Sequence, residues 1–170
     1  MEKLDDSLKS IAGFMSLAAR TAPKARGKDN LVMKIFEKEE LDGLADIMIS
    51  TGKETSRPQT FSRDAESVRK SGCLLVIATK NSPLDLDCGF CGAATCEEAR
   101  KKNITCAYNS GDLGIAVGSA VATAACFHAD NRLMYTVGFT VIKHDLMGDG
   151  IVMALGIPLS ATGKNPFFDR

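Results

Sequence analysis

The chain has 170 residues, which is long enough for one domain to bury a core without disulfides to stabilise it. Lys and Arg together number 21, as do Asp and Glu, so the formal net charge is zero, and 45% of the residues are hydrophobic. The hydrophobic content argues against disorder, and the balanced charge argues against nucleic-acid binding. We expect a single domain over residues 1–170 with no polyanionic partner.

The N-terminal segment and the cysteines together indicate a cellular compartment. The first residues, Met-Glu-Lys-Leu-Asp-Asp, lack the basic start and long apolar run of a secretory signal. We therefore expect a cytoplasmic protein that does not enter a membrane. In a reducing compartment, six cysteines are expected to bind metal or carry out redox chemistry rather than to form disulfides.

The first part of the chain predicts three helices and one strand. Each helix shows apolar residues at spacings of three or four, and the strand follows a basic loop. The predicted elements are a helix over residues 4–22 that Pro23 ends, a strand over residues 31–36, a helix from Leu41 that Gly52 caps, an exposed loop over residues 53–60, and a helix over residues 62–70.

Two apolar runs dominate the second part. Residues 73–78 are continuously apolar, which is typical of a central strand buried on both faces. Residues 113–127 predict a buried helix of small side chains that is too short and too polar in places to cross a bilayer. A helix over residues 133–143 and an apolar element over residues 151–155 complete the prediction.

The small-residue helix carries a smooth face. Gly114, Gly118, Ala122 and Cys126 follow one another at intervals of four residues. Such a face permits close packing, either inside the protein or against a second copy of the chain. Cys126, like Cys73 in the strand, lies in an apolar run, and we interpret both as inert core residues.

The remaining four cysteines lie in one loop, predicted over residues 85–108. Cys88, Cys91, Cys96 and Cys106 follow the spacing C-x2-C-x4-C-x9-C. Four soft thiolates this close in sequence are typical of a loop that wraps an iron–sulfur cluster. Gly89 and Gly92 would supply the backbone angles for a tight wrap and leave room for amide N–H groups near the sulfurs.

Other uses of these cysteines are compatible with the spacing. Zinc also binds C-x2-C pairs, although a zinc ribbon usually contains a second, similar pair and none is present. A free or regulatory set of thiols is a further alternative. We favour an iron–sulfur cluster, and three basic residues, Arg100, Lys101 and Lys102, would offset part of its negative charge.

Asp87-Cys-Gly-Phe-Cys-Gly and the third cysteine resemble the four-cysteine iron–sulfur domain of corrinoid proteins and electron-transfer subunits. In those domains the fourth cysteine lies farther downstream than Cys106 does. With residues 112–120 and 156–170, the same motif resembles an uncharacterised prokaryotic family of proteins containing a ferredoxin domain. This resemblance implies a [4Fe–4S] cluster as the cofactor.

The order of elements is similar to that of the flavin-dependent nitroreductases. This similarity implies an α+β fold, an α/β/α sandwich around a mostly antiparallel sheet with the Cys-rich loop inserted, and a homodimer with flavin (FMN) at the subunit interface. The Arg-Ser-x-Arg opening typical of flavin-phosphate binding is missing. Residues that would replace it are Arg20, Lys24, Arg26, Asn30, Lys164 and Arg170.

Ordinary structural roles are the alternative for the same residues. The basic loop would then be a solvated turn, and Phe167 and Phe168 would dock the C-terminal segment onto the core. His128 and His144 do not fit a ligand or base pattern, and the sequence contains no hydrolase or nucleotide-triphosphate motif.

These observations predict an iron–sulfur redox protein. It would act in electron transfer with a partner protein or as a flavin-linked oxidoreductase. The alternatives are a non-enzymatic, zinc-binding dimeric interaction module and a cluster-based sensor, which one sequence does not distinguish from a carrier.

Overall fold

The structure is a computed structural model that describes residues 4–168. Arg170, one of the predicted flavin contacts, lies outside the described residues. The helices are α1 (Leu4–Thr21), α2 (Lys38–Lys53), α3 (Pro58–Arg69), α4 (Cys96–Lys101), α5 (Ala107–Cys126) and α6 (Tyr135–Lys143), with a 3-10 turn at Ala25–Gly27. The strands are β1 (Leu31–Phe36), β2 (Cys73–Lys80), β3 (Asp130–Asn131) and β4 (Ile151–Ser160).

The four strands form one antiparallel sheet in the order β1-β2-β4-β3. β2 lies inside the sheet, and seven of its eight residues are buried. Because side chains alternate along a strand, Cys73, Leu75 and Ile77 face one hydrophobic cluster and Leu74, Val76 and Ala78 face another. The predicted central strand and α/β/α sandwich are confirmed.

One face of the sheet is covered by α1 and α5. Asp5 and Asp6 occupy the first turn of α1, where carboxylates favour a helix start, and the buried stripe of that helix includes Leu8 and Met15. Alanines on the inner face of α5, such as Ala116 and Ala120, are fully buried in the same cluster. Small side chains allow the long α5 to lie close to α1 and the sheet.

The other face is covered by α2, α3 and α6, and two glycines set how closely they pack. A Cβ on Gly138 in α6 would lie 1.7 Å from the Ala154 carbonyl oxygen of β4. A Cβ on Gly52 would lie 2.5 Å from the Phe61 Cβ of α3. Gly52 lies inside α2, which ends at Lys53. Its predicted role as a cap is therefore wrong, and close packing explains the glycine instead.

The helix α5 differs from its prediction in two ways. It begins at Ala107 rather than near residue 113, and the smooth face, including Gly118, is exposed, so it does not pack inside the protein as the first of the two alternatives predicts. Cys126 lies on that face and is exposed, so its assignment to the core is wrong. Cys73 is buried as predicted, and burial raises the pKa of its thiol to about 12.

The length and hydropathy of the helices bear on the membrane prediction. Across residues 4–168, no helix combines the length and apolar character needed to cross a bilayer. The 20-residue α5, the longest of these helices, includes the buried polar residues Asn109 and Asp112.

Candidate functional site

The cysteine loop, residues 81–106, connects the end of β2 to the start of α5. Side-chain amides close its base. Asn81 donates from Nδ2 to the Ile104 carbonyl at 3.0 Å and accepts at Oδ1 from the Cys106 amide at 3.1 Å. Asn109 accepts at Oδ1 from the Ser82 amide at 2.7 Å. These bonds bring the two ends of the loop together.

All four predicted ligands line one small concavity inside this loop. Cys88 is exposed, Cys91 and Cys96 are half-buried, and Cys106 is buried. Apolar neighbours such as Ala99 complete the lining. The spacing in sequence therefore brings the four thiols together, with Cys106 at the base of the loop and Cys88 toward the solvent.

The backbone of the loop turns sharply around the cysteines. Gly89 has a φ of 72° and Gly92 a φ of 86°, both in the left-handed region. No heavy atom lies within 4 Å of the position that a Cβ would take at either glycine. The positive φ angle, and not crowding by neighbouring atoms, therefore explains why glycine occupies both positions. Asp87 supports the turn because its Oδ1 accepts from the Cys96 amide at 2.6 Å.

Electrostatic contacts hold α4 against the start of the loop. Arg100 forms an ion pair with Asp85 and donates to the Pro83 carbonyl at 3.2 Å. This contact holds the pKa of the Asp85 carboxyl below its usual range. Asp85 therefore stays ionised at pH values above the lowered pKa, and the ion pair is lost as the pH falls through it. Lys101 and Lys102 pair with glutamates of the same helix at 2.7 and 2.6 Å.

The thiols are not arranged for a single ion. Among residues 4–168, no group of three or more His, Cys, Asp or Glu side chains is placed to hold one metal ion. A tetrahedral zinc site requires every sulfur at about 2.3 Å from one point, whereas a four-iron cluster is a larger object with a thiolate on each iron.

Three of the four predicted flavin contacts near the N-terminal junction have structural partners. Arg20 pairs with Asp29 at 2.6 Å, and Lys24 donates to backbone carbonyls at the end of α1, including that of Arg20 at 2.6 Å. Arg26 reaches the cysteine loop, donating to the Leu84 carbonyl at 2.6 Å. Asn30 has a buried Nδ2 with no hydrogen-bond partner among the described residues. This group lies at the Lys80 end of the sheet, because the Asn30 carbonyl accepts from the Lys80 amide at 3.0 Å.

Lys164 lies at the opposite end of the sheet, beyond Ser160, where β4 ends. There it lines the cationic cavity, a concavity of about 670 Å³ formed by Arg63, Ser67, Lys70, Arg132, Lys164, Asn165, Pro166, Phe167 and Phe168. The structure therefore separates Lys164 from the other four described candidates instead of bringing all five together.

Sequence reasoning missed the other cations of this cavity. Arg63 is oriented by the buried Asp64, whose Oδ1 it contacts at 2.8 Å. Arg132 donates to the Phe167 carbonyl at 2.8 Å and lies 5.0 Å from the Phe168 ring centroid. Residues 63 and 67 share one face of α3 and Lys70 follows the end of that helix, but no local pattern connects them with Arg132 or Lys164. Phe167 is 3% exposed, so the interpretation that it docks the C-terminal segment is confirmed.

Solved structures share the fold of this chain. An oxidoreductase containing FMN matches with a TM-score of 0.62 and 14% identity, covering 92% of this chain and 68% of its own. A nitroreductase with bound FMN from Desulfitobacterium hafniense matches with a TM-score of 0.63 and 13% identity, covering 96% and 81%. A BluB-like flavoprotein from Clostridium difficile matches with a TM-score of 0.62 and 11% identity, covering 96% and 95%. These likenesses establish a nitroreductase-like α+β fold.

Sequence relatives define the family. An uncharacterized protein of Archaeoglobus fulgidus is 37% identical over 175 aligned positions, which cover 98% of this chain and 93% of the relative. Residues 102–170 match the family described as "uncharacterized protein containing a ferredoxin domain (DUF2148)". The chain therefore belongs to this ferredoxin-domain family, on a nitroreductase-like fold.

Proposed function

We propose that Cys88, Cys91, Cys96 and Cys106 bind a [4Fe–4S] cluster and that the protein transfers electrons, either to a partner protein or within a flavin-linked oxidoreductase. The observation that carries this proposal is that all four thiols line one concavity. Soft thiolates are the ligands that iron–sulfur clusters require, and the cluster, when bound, accepts and releases single electrons.

The surroundings of the thiols support this use. Cys106 precedes the first residue of the 20-residue α5, and a long helix stabilises negative charge at its start. Ala93 and Ala99 are buried beside the thiols and would limit the access of water to that side. Cys88 and Phe90 are exposed, and Phe90 exposes 73% of its surface. A redox partner could therefore approach this side of the loop.

A flavin would fit the cationic cavity better than the N-terminal junction. Arg63, Lys70, Arg132 and Lys164 supply several donors for a phosphate, and the Phe167–Phe168 segment supplies apolar surface beside them. The cavity volume of about 670 Å³ lies within the range of ordinary cofactor sites. Arg63 and Arg132 also contact protein groups, as the three cations of the N-terminal junction do. The volume and the neighbouring apolar surface therefore favour the cationic cavity.

A homodimer would bury the outward face of α5. The cysteine loop lies at the start of α5, about 30 Å from the far end of this 20-residue helix. The outward face of α5 exposes Gly114, Ile115, Gly118 and Cys126 and carries no charge. If two copies pack these faces antiparallel about a twofold axis, the cysteine loop of one subunit lies beside the far end of α5 of the other.

Anaerobic purification tests the cluster. The protein should be brown, absorb broadly near about 400 nm and contain about four iron and four sulfide ions per chain. Colourless protein that contains zinc but neither iron nor sulfide would exclude the cluster and favour the non-enzymatic module. A cluster that shows no reversible one-electron reduction would instead contradict electron transfer.

Replacing Lys164 with glutamine tests the flavin. We expect FMN to bind with a dissociation constant that rises by about tenfold in the variant, because one charged contact to the phosphate is lost. Fluorescence quenching of FMN on titration with protein measures this constant. Arg20→Gln is the matched control and should bind FMN as the unchanged protein does. If Arg20→Gln weakens binding and Lys164→Gln does not, the flavin belongs to the N-terminal junction.

Replacing Gly118 with arginine tests the dimer. Gly118 has free space around it within the chain, so the fold should tolerate the larger side chain, while a face packed against a second copy should not. Sedimentation equilibrium should give a dimer for the unchanged protein and a monomer for the variant. A dimer of undiminished stability in Gly118→Arg would place the interface elsewhere.

A further inference from the structure

A second concavity, the aromatic pocket, shares no residue with the cysteine loop or the cationic cavity. It lies on the α2, α3 and α6 side of the sheet and has a volume of about 280 Å³. The turn between α2 and α3 supplies one wall, and α3 and α6 supply the others. Its lining residues are Thr55, Ser56, Arg57, Phe61, Tyr135 and Phe139.

Three rings form the apolar part of this pocket. Phe61 is 2% exposed and anchors it. Tyr135 and Phe139, one turn apart on α6, meet the Phe61 ring edge to face, with centroid distances of 6.2 and 5.8 Å. Both outer rings remain nearly half exposed, at 49% and 46%. Each therefore retains ring surface that another planar ring could contact by stacking or by an edge-to-face arrangement.

Arg57 supplies a positive charge with no competing anion. Its guanidinium makes no hydrogen bond or ion pair with the other residues in the range 4–168, although its backbone amide donates to Thr55 Oγ1 at 3.2 Å. Glu54, the carboxylate next to the turn, is paired with Lys143 at 2.6 Å. Arg63 and Arg132, by contrast, are held by protein acceptors. Arg57 is thus free to pair with an external carboxylate, whose geometry matches its paired donors.

We propose that the aromatic pocket binds a monocyclic aromatic carboxylate. The ring of the ligand would pack against Tyr135 and Phe139, and its carboxylate would pair with Arg57. The volume of the aromatic pocket limits the size of the ligand. At about 280 Å³ it lies just below the range typical of drug-sized or cofactor sites. The pocket is therefore suited to one ring and is too small for a flavin.

Titration of the full-length, anaerobically purified protein with benzoate tests this proposal. Isothermal calorimetry should detect one site per chain with a dissociation constant below about 1 mM. Benzamide lacks the charge, and cyclohexanecarboxylate lacks the aromatic ring, so each should bind at least about tenfold more weakly. Equal binding of all three ligands, or no saturable binding of benzoate, would overturn the proposal.

Variants locate the site. Arg57→Gln should weaken benzoate binding by about tenfold, and Arg57→Lys should recover only part of it because lysine lacks the fork geometry. Phe139→Leu should weaken binding of benzoate more than that of cyclohexanecarboxylate, since it removes ring contacts and keeps an apolar side chain. Lys164→Gln, in the cationic cavity, is the matched control and should leave benzoate binding unchanged. Loss of binding in Lys164→Gln but not in Arg57→Gln would place benzoate in the cationic cavity and refute the aromatic pocket.

Discussion

Replacement of Cys91 by serine is expected to leave the anaerobically purified protein with at least about tenfold less iron and sulfide per chain than the unchanged protein. The broad absorbance near about 400 nm should fall in proportion. The reason is geometric: Cys91 lines the same concavity as the other three cysteines, and no further cysteine lines it. Colorimetric iron and sulfide assays, normalised to protein, provide the measurement.

Cys126→Ser is the matched control for this experiment. Cys126 is exposed, but it lies at the end of α5 away from the cysteine loop. The control should retain the full iron and sulfide content, and Cys106→Ser should behave like Cys91→Ser. Retention of the cluster in Cys106→Ser would mean that the fourth ligand comes from elsewhere. Loss of iron and sulfide in Cys126→Ser would contradict the assignment of the four ligands to the cysteine loop.

Replacement of Gly138 by alanine is expected to destabilise the fold by at least about 3 kcal/mol and to lower Tm by about 10 °C. A Cβ at this position would lie 1.7 Å from the Ala154 carbonyl oxygen, so α6 would have to move away from β4. That oxygen belongs to the backbone of the sheet and not to the end of a flexible side chain, which leaves little room for local relaxation. Denaturant unfolding followed by circular dichroism measures the loss.

Gly43→Ala provides the comparison. Gly43 lies within α2, is exposed, and has no heavy atom within 4 Å of its would-be Cβ. Alanine there should stabilise the protein by about 0.5–1 kcal/mol, because it restricts the unfolded chain and favours the helix. If both substitutions changed stability by similar amounts and in the same direction, close packing of α6 on β4 would not be the cause.

The parts of the fold that follow from the sequence are those that local patterns control. The apolar run of β2 identified a strand buried on both faces because alternate residues there meet two different hydrophobic clusters. The cysteine spacing anticipated a single concavity because short loops keep their residues close together. The order of elements identified the nitroreductase-like fold, which the solved structures confirm.

Other features depend on contacts between distant segments. The sequence does not predict residues 107–112 as part of α5 because Asn109 and Asp112 are polar, and only the structure reveals that they bond to the Ser82 and Ala25 amides. The cationic cavity combines residues from α3, the β3–α6 connection and the C-terminal segment, which no periodic pattern links. The sequence predicts a cap at Gly52 because a glycine near a helix end usually caps the helix, whereas in the structure close contact with Phe61 of α3 requires the glycine.

Asn81 and Asn109 bond the base of the cysteine loop, and we therefore expect backbone amides in this loop to exchange with solvent at rates different from those in the core. These contacts join the loop to the scaffold at its two ends, while β2 and α5 draw their protection from cores that include neither Cys88 nor Cys91. Amides of residues 85–105 should therefore open and exchange without global unfolding, whereas those of β2 exchange only with it. Oxidation confined to this loop would then leave the rest of the protein folded, not committed to aggregation or degradation.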